Sequence, residues 1–168
     1  AVRVRRRPWR FADGGFRWRY DMGWAIERGK WYSPYIVHDL DGDGRAEVAV
    51  KAGEGDPRDE DGKVRTGPEY IAILDGATGK VRCRAAWPER ELFAKVKNNY
   101  SFVSRNQLGV AYLDGKRASL IVARGTYNVM AVEAWRLDGD TLKRLWRWDN
   151  RKLDRKFQGQ GAHNMVAA

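Results

Sequence analysis

The sequence has little of what most redox, disulfide and transition-metal sites require. It contains one cysteine, Cys83, and two histidines among 168 residues, which excludes a disulfide framework, a cysteine zinc cluster and a histidine-rich metal site. No apolar run approaches the ~18 residues of a membrane-spanning helix, so no membrane partner is expected. Residues Ala1–Arg10 lack the apolar core of a secretory signal peptide. We interpret both ends as cuts, and the chain as an internal piece of a longer protein.

Aromatic residues, glycine and positive charge are abundant instead. The chain has eight tryptophans, 18 glycines and a formal net charge of +10, and 43% of its residues are hydrophobic. This apolar share is sufficient for a folded core, and the length corresponds to one domain or part of one. The net charge indicates a polyanionic partner.

Short β-rich segments separated by Gly, Asp and Pro dominate the chain, and helical periodicity is confined to Glu89–Lys97. Two Leu-Asp-Gly turns, at Asp75 and at Asp138, lie 63 residues apart at corresponding places of a repeated pattern. Each turn joins the third and fourth strands of a predicted four-stranded unit, the pattern of a β-propeller blade. The predicted strands are Tyr35–His38, Glu47–Lys51, Glu69–Leu74 and Lys80–Trp87, then Leu108–Leu113, Ala118–Ala123, Met130–Leu137 and Thr141–Trp148.

The sequence therefore predicts an all-β fold, a β-propeller fragment with about two complete four-stranded blades and parts of two others. All of it belongs to one propeller domain. An open arc leaves blade faces uncovered, so we expect the remaining blades of the same propeller to contact them. The approximate units are 1–30, which ends an earlier blade with the strand Phe16–Tyr20, then 31–97, 98–150, and 151–168, which starts another blade with the strand Ala162–Val166.

The most specific motif is D-L-D-G-D-G-R-A-E at residues 39–47, here called the Asp-rich loop. Aspartates at alternate positions followed by glycine place hard oxygen ligands around calcium. The glutamate at position nine and the flanking strands distinguish this loop from an EF-hand. The alternatives are calcium that only stabilises the turn and an acidic turn without metal. The predicted ligands are Asp39, Asp41, Asp43, the Arg45 carbonyl and Glu47.

Several motifs in order resemble rhamnogalacturonan lyases of polysaccharide lyase family 11. They are DLDGDGRAEVAVK, GPEYIAILDGATGK, SRNQLGVAYLDGKRASLIVARGTY and GQGAHN, and the resemblance extends from Trp18 to Ala168. It implies an eight-bladed, calcium-rich propeller that bacteria secrete to the extracellular space or periplasm. The implied activity is β-elimination in the rhamnose–galacturonic acid backbone of rhamnogalacturonan I, an acidic pectic polysaccharide. The isolated chain is expected to be inactive.

β-Elimination removes the proton beside the uronate carboxylate, so the site needs a base and a cation that stabilises the developing charge. We expect such groups in loops before the first and after the second strand of a blade. Arg105 is the candidate carboxylate partner, Lys51 a candidate base, and His163, in a segment similar to the family's propeller mouth, a third catalytic candidate. The alternatives are a surface arginine, an ordinary strand-end lysine and a structural histidine.

The candidate substrate-binding residues are polar or aromatic and lie near strand ends or outside strands. Packing in the core or between blades is the alternative for all of them except Asn164. Two other functions stay open: a non-catalytic calcium-binding propeller for adhesion or scaffolding, and a nucleic-acid-binding module. The second is disfavoured because the basic residues are dispersed and no recognised nucleic-acid motif occurs. The candidates are Arg124, Tyr127, Asn164, Trp24 and Trp31.

Overall fold

The structure, a computed structural model, describes residues 17–27, 29, 31–93, 100–127, 130–154 and 156. Eight strands form two four-stranded antiparallel sheets, each in sequence order. All eight predicted strands are confirmed, with bounds that shift by at most two residues. The first sheet holds β1 (Tyr35–His38), β2 (Glu47–Gly53), β3 (Glu69–Asp75) and β4 (Val81–Ala86), and the second holds β5 (Asn106–Ala111), β6 (Ser119–Arg124), β7 (Ala131–Asp138) and β8 (Thr141–Asp149).

Helical structure in the described residues is short. A 3₁₀ turn at Arg90–Phe93 covers part of the predicted helix Glu89–Lys97, whose last residues lie outside the described part of the chain. A five-residue helix, α1 (Tyr100–Ser104), precedes β5, and a second 3₁₀ turn at Asn150–Lys152 follows β8. None of these helices is long and apolar enough to cross a membrane.

The predicted strand Phe16–Tyr20 is wrong over its described residues, 17–20, which are not in a strand. Trp18 and Tyr20 instead pack on the outer face of the first sheet, beside the buried Met22 and Ile26. The predicted strand Ala162–Val166 lies outside the described residues.

The first sheet is buried on both faces, which explains the nearly continuous apolar sequence of β2 and β3. One face, with Val48, Val50 and Leu74, is covered by residues of the segment 17–27. Side chains alternate along a strand, so Ala49, Ile71 and Ile73 point the other way, into the core between the sheets.

The two sheets pack face to face with their strands in the same order. β1 contacts β5, and β4 contacts β8. The shared core combines Trp87 of the first sheet's trailing segment with Leu120, Val122 and Trp135 of the second sheet. Stacking in register is the arrangement that successive blades require.

The antiparallel order gives the stacked sheets two distinct ends. At the turn end lie the β1–β2, β3–β4, β5–β6 and β7–β8 turns. At the opposite, connection end lie the β2–β3, β4–β5 and β6–β7 connections together with the residues that precede β1. The Asp-rich loop belongs to the turn end, and Arg105 belongs to the connection end.

Candidate functional site

The Asp-rich loop folds around the carboxylate of Asp39. That carboxylate accepts hydrogen bonds from the backbone N–H groups of Gly42 (2.7 Å), Asp43 (3.1 Å) and Gly44 (2.9 Å). The two glycines have φ angles of 82° and 85°, a left-handed conformation that glycine adopts without strain. The Leu40 side chain is 3% exposed and lies in the core between the sheets, which anchors the loop.

The three aspartates of the loop converge. One carboxylate oxygen from each of Asp39, Asp41 and Asp43 lies within 4.8 Å of the other two. Calcium takes oxygen ligands at about 2.3–2.6 Å, so oxygens this close to each other fit around one ion. The Arg45 backbone N–H donates to Asp43 at 2.8 Å, and the Arg45 carbonyl stays a predicted ligand. The donor chemistry of the loop therefore fits calcium.

The structure does not bring Glu47 into this group. Glu47 is 2% exposed, and burial raises the pKa of its carboxyl. Its Oε2 accepts from the Leu40 N–H at 2.9 Å, and its Oε1 accepts from Arg82 at 2.8 Å. Both oxygens are therefore engaged and join the loop to β4, and the ligand role of Glu47 stays a prediction.

The equivalent turn of the second sheet is held by different contacts. Asp114 accepts backbone hydrogen bonds from Lys116 (3.0 Å) and Arg117 (2.8 Å), and these lower its pKa to about 2. The Arg136 guanidinium lies 2.9 Å from the same carboxylate. Backbone donors and an arginine thus satisfy this lone aspartate.

At the connection end, the structure brings together three predicted site residues, here called the Arg105 site. The Arg105 guanidinium lies 5.0 Å from the ring centroid of Trp31 and 5.3 Å from that of Tyr127. It also donates a hydrogen bond to the Tyr127 hydroxyl at 3.1 Å. Arginine over aromatic rings is favourable by about 0.5–2 kcal/mol per contact, so the two rings hold the guanidinium in place.

Arg105 is half-buried, and within the described residues none of its partners is a carboxylate. Its Nε is buried and has no hydrogen-bond acceptor among these residues. A partly desolvated guanidinium without a counter-ion favours binding of an anion, and its planar donors match a carboxylate. Tyr127 has φ of 67°, uncommon for a non-glycine residue and frequent at functional sites.

Asn106, which the sequence analysis missed, fixes the position of this site. Its backbone N–H donates to the Trp31 carbonyl at 2.8 Å, and its amide donates to the Tyr32 carbonyl at 3.0 Å and to the last carbonyl of α1 at 2.6 Å. Its Oδ1 accepts from the Trp87 indole at 2.8 Å. An asparagine at the start of a strand, directly after Arg105, was the available sequence signal.

Lys51 and Arg124 lie in a buried ion-pair cluster between the sheets, here called the Glu69 network. Both side chains are 0% exposed. Glu69 on β3 lies 2.7 Å from Lys51 and 2.8 Å from Arg90, and its other oxygen accepts from Arg124 on β6. Glu27 lies 3.7 Å from Lys51 and 3.8 Å from Arg90. The network therefore joins the second sheet to the first.

The charges of this network perturb one another. Burial lowers the pKa of Lys51 to about 8, against the opposing attraction of Glu69. Burial also disfavours ionisation of Glu69, but the charges of Lys51, Arg124 and Arg90 outweigh it, so the pKa of Glu69 lies below its ordinary value. Because Lys51 and Arg124 are enclosed, a polysaccharide cannot reach either side chain in this arrangement. This burial favours blade packing for Arg124 and a role outside the site for Lys51, which lies inside β2 and not at its end, and the site roles of both stay predictions.

Trp24 does not join the Arg105 site in the described part of the chain. Trp24 packs under the guanidinium of Arg58, with 4.0 Å between the ring centroid and the guanidinium carbon. Arg58 is itself paired with Asp56 in the β2–β3 connection. His163 and Asn164 lie outside the described residues.

Comparison with known proteins adds independent findings. Residues 10–168 match the family described as rhamnogalacturonan lyase family 11, C-terminal domain. The chain is 38% identical to the rhamnogalacturonan endolyase YesW of Bacillus subtilis (strain 168) and 35% identical to the rhamnogalacturonan exolyase YesX of that organism. Each alignment spans 173 residues, which cover 93% of this chain and 28% of the relative.

The fold is also shared. The crystal structure of the exotype lyase YesX matches with a TM-score of 0.86 at 33% identity, covering 92% of this chain and 28% of that one. The chain thus spans little more than a quarter of the length of these relatives. Since the family match covers nearly all of its residues, the chain belongs to family 11 of the rhamnogalacturonan lyases.

Proposed function

We propose that the chain is part of a rhamnogalacturonan lyase and that the Arg105 site binds a galacturonate of its substrate. Family membership supports the lyase over a non-catalytic propeller or a nucleic-acid-binding module. The observation that carries the subsite is the half-buried Arg105, held between Trp31 and Tyr127 with no carboxylate partner among the described residues. The proposed substrate is rhamnogalacturonan I, an acidic polysaccharide.

The proposed chemistry is β-elimination. A base removes the proton on the carbon beside the uronate carboxylate, and negative charge moves onto that carboxylate. A double bond then forms between this carbon and the β-carbon as the bond from the β-carbon to the glycosidic oxygen breaks, and the departing oxygen takes a proton from the protonated base or from water. Arg105 would donate N–H groups to the carboxylate and stabilise this charge, and the ring of Trp31 would contact the sugar. His163 stays a catalytic candidate and Asn164 a substrate-binding candidate, both outside the described residues.

We also propose that calcium binds Asp39, Asp41 and Asp43 in a structural role. The loop lies at the turn end, away from Arg105, and when bound the ion would neutralise three converging carboxylates. Thermal-shift titration of the chain should show saturable stabilisation by calcium, which Asp41→Ala removes. The control is Asp61→Ala, which removes an exposed carboxylate 3.1 Å from Lys63 and should keep the calcium response. An unchanged response in Asp41→Ala would contradict the site.

We further propose that the two sheets are successive blades, units 31–97 and 98–150, of an eight-bladed propeller. Their aligned stacking supports this arrangement. In it, residues 1–30 and 151–168 belong to neighbouring blades, and the complete enzyme acts outside the cell or in the periplasm, where a cell-wall polymer is accessible. The isolated chain is expected to show no lyase activity.

The subsite is tested in the complete enzyme. Arg105→Ala should lower kcat/KM on rhamnogalacturonan I by roughly 10²-fold, because it removes a charge partner of the transition state. Release of unsaturated products is followed by their ultraviolet absorbance, and unfolding is measured in parallel. The matched control is Arg84→Ala, an exposed arginine of β4 that lies 3.4 Å from Glu54. Near-normal turnover in Arg105→Ala, or an equal loss in the control, contradicts the proposal.

A further inference from the structure

Arg82 of β4 fills the space between the Asp-rich loop and the second sheet. Its Nη2 donates to Asp41 Oδ2 at 2.8 Å, and its Nη1 donates to Glu47 Oε1 at 2.8 Å. Its Nε donates to Asp140 Oδ1 at 2.9 Å, and Nη2 also reaches the Gly139 carbonyl at 3.2 Å. All three guanidinium nitrogens therefore have acceptors, and the three carboxylates come from two different sheets.

On the side of the Asp-rich loop, this contact differs from an ordinary surface ion pair because its partners are poorly exposed, whereas Asp140 on the other side is 71% exposed. The side chains of Asp41 and Glu47 are 15% and 3% exposed, and that of Arg82 is 20% exposed. Solvent screens such pairs less than exposed ones, so they bind more strongly. The three carboxylates together raise the pKa of Arg82, which stays cationic.

The guanidinium and a calcium ion bound in the loop would draw on the same carboxylate groups. Asp41 belongs to the converging aspartate group, and Glu47 occupies position nine of the loop, where the sequence predicts a ligand. In this structure Arg82 holds one oxygen of each. A calcium ion that takes these oxygens has to displace the arginine or tolerate a positive charge beside it.

We propose that Arg82 is an internal competitor of calcium and couples occupancy of the Asp-rich loop to the contact between the sheets. Without the ion, Arg82 clamps Asp41 and Glu47 and reaches across to Asp140. With the ion bound, the clamp is released and the Arg82–Asp140 pair weakens. The inference rests on the proposed calcium site.

Calcium titration calorimetry of the full chain tests the competition. Arg82→Gln removes the charge and should tighten the calcium dissociation constant by about tenfold, because a neighbouring cation no longer opposes the ion. Arg82→Lys keeps the charge without the planar fork and should lie between wild type and Arg82→Gln. Arg136→Gln is the matched control, since Arg136 pairs with Asp114 in the equivalent turn, and it should leave the constant unchanged.

Equal dissociation constants in wild type and a folded Arg82→Gln overturn the competition while the calcium proposal stands. No calcium binding in either protein overturns both. The coupling has its own measurement, which also applies where Arg82→Gln does not fold. Asp140→Asn should lower the melting temperature of the calcium-free chain at least twice as much as that of the calcium-saturated chain. An equal loss in both conditions overturns the coupling.

Discussion

Replacing Glu69 with glutamine would leave two fully buried cations, and the partly buried Arg90, without the carboxylate that they share. Lys51, Arg90 and Arg124 all contact Glu69, whose side chain is 6% exposed, and the only other carboxylate of the network is Glu27. Glutamine has nearly the same volume and keeps one oxygen acceptor. The substitution therefore removes charge with little change in packing.

The expected loss is large because the cations stay enclosed. Removing one partner of a buried ion pair costs about 3–5 kcal/mol, most of it the penalty of an uncompensated buried charge. For a chain of this length, each kcal/mol shifts the melting temperature by roughly 2–4 °C, so Glu69→Gln should melt roughly 10 °C lower.

The loss should also depend on pH. Lys51 has a pKa of about 8 in the folded chain and an ordinary value of 10.5. Between these values the unfolded chain binds more protons, so the stability of the wild type rises with pH. Without Glu69 the pKa of Lys51 falls further, so in the variant Lys51 loses its proton, and with it the buried positive charge, at a lower pH. The deficit of Glu69→Gln should therefore shrink as the pH rises towards about 8 and stay constant above it, where Lys51 is neutral in both folded proteins.

Urea and thermal unfolding at low micromolar concentration, followed by tryptophan fluorescence, measure both effects. Asp138→Asn is the control, since Asp138 pairs at 2.7 Å with Lys143 and both side chains are more than half exposed. It should leave the midpoint unchanged. A deficit of Glu69→Gln below ~1 kcal/mol, or one that grows with pH, would refute the reasoning.

Three further predictions concern other residues. Lys51→Met should keep lyase turnover in the complete enzyme. It should also abolish the rise of stability between pH 8 and 10.5 that the lowered pKa of Lys51 produces. Lost turnover at an unchanged melting temperature would instead support Lys51 as a catalytic base. Asn106→Ala and Asn106→Asp should each destabilise the chain by about 2 kcal/mol and raise KM, because neither new side chain can donate to the Tyr32 and Ser104 carbonyls. A normal KM in both variants would show that Asn106 does not position the Arg105 site. Trp146 and Trp148 on β8 are 42% and 41% exposed, so the isolated chain should self-associate in size-exclusion chromatography. A variant with both tryptophans replaced by serine should be monomeric. A monomeric wild-type chain would contradict the prediction that these tryptophans drive self-association.

The strands and their grouping could be predicted from the sequence because their determinants are local. Alternating or continuous apolar runs end at Asp-Gly turns, and the repeated turns at Asp75 and Asp138 close the third and fourth strands of both sheets. The segment 17–20 misled the same reasoning, since it has the alternation of a strand but is not assigned to one among the described residues.

The charged contacts could not be predicted, because they depend on how one sheet stacks on the other. Lys51, Glu69 and Arg124 come from three strands, and Arg82 meets Asp140 only across the interface. A weak signal existed: Lys51 interrupts the apolar strand β2 on a face that stacking buries, and a charge there requires a buried partner.

For the Arg105 site, the sequence predicts the individual residues but not that they contact each other. A position near a strand end or outside the strands is what points to each of three residues, Trp31, Arg105 and Tyr127. Their contact depends on the connections at one end of the sheets, whose conformations are set by tertiary hydrogen bonds such as those of Asn106. The placement of Trp24 on Arg58 shows the same limit, since aromatic character alone does not specify a neighbour.

Each sheet is built from four strands that are consecutive in the chain, and this has a consequence for how the protein is made. Every ladder pairs neighbouring strands, so no strand has to wait for a distant segment before it forms hydrogen bonds. Pairing between consecutive strands closes shorter loops than pairing between distant strands, which favours faster folding, and domains fold from the N-terminus as the ribosome releases them. The first sheet has its preceding segment already packed on one face. Its other face is therefore already formed when β5–β8 emerge, and the second sheet packs against that face while synthesis continues.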